Sequence, residues 1–226
     1  MKNFYNDIRN QLDEVSTSFC LAKWSQLTLY LQNGYNHSCH HPTPHKIPLR
    51  ELEKNHKALH NTKYKKRQMK QMLKGQRPSE CEYCWKIEDL GKEYISDRIY
   101  KSANSFSQVK KDEILEKRTQ DIEPSYLEVS FSSTCNMKCA YCSPDISSAW
   151  MEEVERFGGY PTSTKYNDIN YFKDNLKIPY KKSEHNPYVE AFWEWWPELY
   201  PKLHTLRITG GEPLLSKDTW KVMDEL

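Results

Sequence analysis

Residues 126–142 constrain this chain most: Tyr-Leu-Glu-Val-Ser-Phe-Ser-Ser-Thr-Cys-Asn-Met-Lys-Cys-Ala-Tyr-Cys. Leu127, Val129 and Phe131 alternate with polar residues, the period of a half-buried strand. The strand runs into a polar loop carrying Cys135, Cys139 and Cys142 in C-x3-C-x2-C spacing. An odd number of neighbouring thiols cannot pair off locally, so a metal centre suits them better than disulfides. Iron–sulfur sites usually take four cysteines. Three are supplied here and the next residues offer no fourth, so a cubane held by them keeps one iron open for an outside ligand.

A second stretch agrees. Leu206, Arg207, Ile208 and Thr209 read as a strand that ends in Gly210-Gly211-Glu212-Pro213. In this order, each motif following a short apolar strand, the two resemble the radical S-adenosylmethionine (SAM) superfamily. Its hallmark is C-x3-C-x-aromatic-C after the first strand of a βα barrel, and Tyr141 fills the aromatic position. The resemblance implies that Cys135, Cys139 and Cys142 hold a [4Fe-4S] cluster whose open iron chelates SAM. It implies that the Gly-Gly-Glu-Pro loop, Gly210 to Pro213, contacts the SAM amino group, with Glu212 as acceptor, and that Tyr141 lies near the adenine. Gly210 and Gly211 let the backbone approach a ligand closely. It further implies an enzyme in which an electron, from a donor such as flavodoxin or ferredoxin, cleaves SAM to a 5′-deoxyadenosyl radical that abstracts hydrogen from a substrate. No side chain is assigned a catalytic role.

The other four cysteines lie upstream. Cys20 precedes a strand over 27–32, Asn33-Gly34 is a tight-turn signal, and the returning strand ends at Cys39. Cys81 and Cys84 form a C-x2-C knuckle. Three cysteines for one site and four for another use all seven. The N-terminal set resembles the SPASM or shorter twitch domains of radical SAM proteins, which hold auxiliary [4Fe-4S] clusters, although those domains usually follow the barrel and this one precedes it. Four thiolates suit structural zinc equally, and free structural cysteines are the third reading. His37, His40, His41 and His45 are expected at the surface or in support of the ligands. Accessory cluster domains are frequent on peptide-modifying members, which tilts the expected substrate toward a peptide; nucleosides and small metabolites stay open.

Elsewhere the sequence predicts helices over 1–18, 49–60 and 62–74, the last basic and ending at Gly75. It predicts helix plus linker over 86–124, a helix opening at Ser143-Pro144, an irregular insertion over 160–185, and helices from Asn186-Pro187 and from Ser216. The expected fold is α/β: a small α+β cysteine-containing accessory domain and linker (1–123), then a partial parallel (βα) barrel of radical SAM type (124–226). Only two βα units are visible, so the barrel looks truncated, and a second chain that completes it is an expected partner. On the two barrel strands Leu127, Val129, Phe131, Leu206 and Ile208 should face the helices, and Glu128 and Arg207 should share the inner face. No apolar run approaches the roughly 20 residues that span a bilayer, and residues 1–15 lack the apolar core of a signal peptide. A reducing cytoplasm is therefore expected, where cysteines serve as metal ligands. The competing classes are a non-enzymatic zinc protein and a ferredoxin-like electron carrier.

Overall fold

The computed structural model describes residues 2–106, 111–161, 163 and 167–226. Helix α1 (Lys2–Asp13) buries Ile8 and Leu12 and leaves Phe4 exposed; it ends before Val15, shorter than the periodicity suggests. A single turn, α2 (Ala22–Ser25), leads into β1 (Gln26–Tyr30). The chain reverses through Gly34, at φ +68°, into β2 (Tyr35–His37) and then β3 (His45–Lys46). The helix expected over 49–60 divides into α3 (Leu49–Leu52) and a 3-10 turn at His56–Leu59. The cause is Asn55, whose side chain accepts from the Lys57 N–H at 3.0 Å and so starts a new turn. Thr62 caps α4 (Lys63–Leu73) in the same manner. There follow α5 (Glu82–Glu88), α6 (Asp97–Phe106) and α7 (Lys111–Lys117).

The C-terminal half contributes β4 (Tyr126–Ser130), α8 (Ser148–Phe157), α9 (Ile169–Asp174), α10 (Pro187–Leu199), β5 (Thr205–Thr209) and α11 (Lys217–Glu225). The helix expected to open at Ser143-Pro144 begins at Ser148. Residues 143–147 close a turn, Ser147 N–H donating to Ser143 O at 3.0 Å, and Ser147 is the actual cap. The insertion over 160–185 contains α9; its residues 162 and 164–166 lie outside the described residues.

The five strands form one mixed sheet in the order β3-β2-β1-β4-β5. β1, β4 and β5 are parallel, while β2 and β3 are antiparallel additions. The N-terminal hairpin was expected in a separate accessory domain, yet β1 pairs along its length with β4. The sheet therefore runs across the 123/124 boundary. The reason is packing. Leu27, Leu29 and Leu31 carry on the apolar surface of Leu127, Val129 and Phe131, and all six are at most 3% exposed. Helix α10 covers that surface with Phe192, Trp195, Trp196 and Leu199. The alternation assigned to β4 and β5 thus places the helices on the expected face. A second core, built by α1, α4, α5 and α6, gathers Leu12, Phe19, Trp24, Met69, Met72 and Trp85 around Cys81 and Cys84. Buried Arg98 ties it together, donating to Phe19 O, Glu88 and Asp13 at 2.9, 2.8 and 3.0 Å. Among the described residues no helix is long and apolar enough to cross a membrane.

Candidate functional site

Parallel pairing fixes where the motifs can meet. β4 and β5 run in register, Ser130 opposite Thr209, so the cysteine loop and the Gly-Gly-Glu-Pro loop leave the sheet at the same end. They are bonded to each other. Gly211 N–H donates to Ser132 O at 3.2 Å and Glu212 N–H to Thr134 O at 2.8 Å. A Cβ on Gly211 would lie 2.5 Å from Thr134 O and 2.7 Å from Ser133 O, closer than any side chain tolerates, so glycine is required for this approach. Gly210 has φ +129° and rests on Ser130, whose hydroxyl donates to Gln32 at 2.8 Å.

The loop is also held from the α8 side. Ser148 Oγ accepts from Cys135 N–H at 3.0 Å, and Trp150 Nε1 donates to Cys139 O at 3.0 Å. Cys142 N–H donates to Cys139 O at 3.0 Å. All three cysteines are half-buried and none forms a disulfide. Burial raises the Cys142 thiol, with the neighbouring Cys135 and Cys139 adding to the effect. Tyr141 is 93% exposed, and the neighbouring Cys139 thiol holds its hydroxyl above the usual pKa. The Glu212 carboxylate accepts from Leu214 N–H at 3.2 Å, capping a short turn at Pro213.

The other four cysteines gather at the opposite end of the sheet. Cys20 lies just before β1, and Cys39 just after β2, which runs back beside it. Cys20, Cys39, Cys81 and Cys84 line one small cavity. Burial raises the thiols of Cys39 and Cys84 and pushes that of Cys81 up to about 12. Lys23, 3% exposed, forms a buried ion pair with Glu80 beside them. Burial alone would lower its pKa; the neighbouring Cys81 and the ion pair with Glu80 outweigh that and raise it. Among the described residues no three cysteine sulfurs lie within 4.8 Å of one another. Zinc–sulfur bonds of about 2.3 Å put the four sulfurs of a tetrahedral zinc site about 3.8 Å apart, whereas each sulfur of a cubane binds a different iron and the set is wider.

Between the two ends lies the polar face of the sheet. A cavity of about 420 Å³ opens there. Its floor is Thr28 and Tyr30 of β1, Tyr126 and Glu128 of β4, and Arg207 of β5, and its wall includes Cys39 and Lys101. Glu128 and Arg207 are cross-strand neighbours in an ion pair of 2.9 Å, and Arg207 also donates to the Tyr126 hydroxyl at 3.1 Å. Their shared inward face matches the alternation of the sequence. His40, which lines this cavity, comes together with His41 and Asp97, which line the four-cysteine cavity, and the three bring ligand-type atoms within 4.8 Å; His41 Nε2 lies 2.6 Å from Asp97 and its ring stacks on Tyr83 at 3.8 Å.

Sequence reasoning did not find Ser148, Trp150, Gln32, Lys23, Asp97 or Lys101. The serine run at 147–148 is the one local signal, since consecutive serines before an apolar run mark a helix start. The others are set by tertiary contacts. Comparison with family models, with curated proteins and with solved structures finds no match to this chain.

Proposed function

We propose that the chain is a radical SAM enzyme or a part of one, β4 and β5 belonging to a (βα) barrel and the four upstream cysteines to a twitch-like accessory site built onto the same sheet. The observation that carries this reading is the bonding of the Gly-Gly-Glu-Pro loop onto the cysteine loop at one end of parallel strands. Cys135, Cys139 and Cys142 would hold a [4Fe-4S] cluster. Glu212 would accept from the ammonium group of SAM, a charge-assisted bond. Cluster and SAM would together supply the reductive cleavage that yields a hydrogen-abstracting 5′-deoxyadenosyl radical; the hard chemistry belongs to the cofactor. This chain's residues bind and orient. Ser148 and Trp150 fix the loop backbone, while Gly210 and Gly211 admit the second loop against it.

Cys20, Cys39, Cys81 and Cys84 would hold an auxiliary [4Fe-4S] cluster, a reading supported by their lining one small cavity. The polar cavity between the sites is the substrate position; its volume suits a small molecule or one side chain of a peptide. Strand β4 spans five residues, so the two cysteine sets stand at opposite ends of about 17 Å of extended chain.

Anaerobic reconstitution with iron and sulfide tests the reading. Two clusters are expected, with at most weak release of 5′-deoxyadenosine from SAM under dithionite by this chain alone. The triple variant Cys135→Ala, Cys139→Ala, Cys142→Ala should lose product and about half the iron. Iron and sulfide unchanged in that variant would refute the C-terminal cluster, and zinc in place of iron at the other site would refute the auxiliary one.

A further inference from the structure

The polar cavity carries an unmatched charge. Apart from histidines, its charged lining residues are Glu128, Arg207 and Lys101. Glu128 is already paired with Arg207 at 2.9 Å. Lys101, on α6, is half-buried and has no carboxylate within ion-pair distance among the described residues. The nearest acidic residue on its own helix face is Asp97, one turn back, and that carboxylate is turned to His41 at 2.6 Å and His40 at 3.6 Å. Arg207 keeps spare donors. A guanidinium has five N–H groups, this one makes its contacts through Nη1, and its side chain is 59% exposed within the cavity mouth. The remaining lining is neutral and hydrogen-bonding, Thr28, Tyr30, Ser38 and Tyr126 among it.

A partly desolvated cation without a counter-charge, in a concave site of small-molecule volume, attracts and focuses an anion. The placement adds direction. Lys101 also lines the four-cysteine cavity, so it stands at the wall between that cavity and the sheet face, while Arg207 stands across the floor. We infer that this cavity binds a small anionic ligand, its carboxylate or phosphate oxygens held by Lys101 and by the free edge of Arg207, with the neutral hydroxyls orienting the rest. This names the ligand class of the cavity given above to the substrate. It rests on that assignment for its biological meaning, but not on either cluster for its physics.

The test uses the full chain in reductant without added iron, at constant ionic strength. Titration with succinate and, separately, with inorganic phosphate is followed by amide chemical shifts. Saturable shifts are expected at Ser38 to His40 and along Lys101 to Ser105. Lys101→Met should weaken binding about tenfold, the effect of losing one partly buried charge-assisted contact, and Lys101→Arg should restore most of it. Arg207→Gln should weaken it as well. Saturation by succinate alone identifies the carboxylate, and by phosphate alone the phosphate; both support the site. Shifts confined to another surface, absence of saturation with both anions, or equal binding by Lys101→Met would overturn it. Because no iron is present, a failed reconstitution leaves this result standing, and a failed titration leaves the clusters standing.

Discussion

At the residue scale, two histidines make the fold sensitive to acid. His60 is fully buried, with Nε2 donating to Trp24 O at 2.9 Å and Nδ1 accepting from Lys65 at 2.8 Å. Burial holds its pKa well below the ordinary value. Burial likewise lowers His45, to about 3, while its Nε2 lies 2.8 Å from the Thr62 hydroxyl. Neutral when folded and free to protonate when unfolded, such an imidazole makes the unfolded state bind more protons below about pH 6.5. Stability therefore falls as pH drops from about 6.5 toward the folded pKa, by up to about 1.4 kcal/mol per pH unit for each imidazole. Urea unfolding at pH 7.5 and pH 5 should show a lower midpoint at pH 5, and His45→Gln should reduce the difference. An equal difference in the variant would remove His45 from the account.

At the element scale, the sheet is held to the helices by aromatic packing. Phe192 of α10 is fully buried and meets Phe131 edge to face at 5.0 Å and Trp196 at 5.3 Å. Phe192→Ala should cost about 3–5 kcal/mol, the range for emptying an aromatic core position, readable as a lower denaturant midpoint with unchanged slope. A loss under about 1 kcal/mol would mean that the site collapses onto the gap. These strands were legible because side chains of period two declare their faces: Leu127 and Val129 on one side, Glu128 on the other. Both motif loops were legible for a related reason, since cysteine and glycine spacing is local. Helix starts were less so. Ser143-Pro144 and Ser147-Ser148 carry similar capping chemistry, and the loop's bond from Ser148 N–H to Ser133 O at 2.7 Å selects the later one. The partner of β1 was illegible, because pairing between distant segments leaves no mark in either.

At the scale of the whole molecule, the shared sheet makes the two halves one folding problem. Expressed apart, residues 1–123 and 124–226 should each fail to protect the strand amides that they protect together, as hydrogen exchange would show, and mixing should restore some protection. Full protection in the isolated N-terminal piece would show that the hairpin needs no neighbour. The register carries a further consequence, for synthesis. Gln26 pairs with Tyr126, a hundred residues later. At ribosomal rates that interval is roughly 5–20 s. Throughout it β1 has β2 on one side and an open edge on the other, a template to which any extended chain can add. The nascent protein thus passes through an interval in which its four upstream cysteines have been made and the strand beside them still lacks its mate, and whatever shields that edge during translation governs how much of the protein arrives correctly folded.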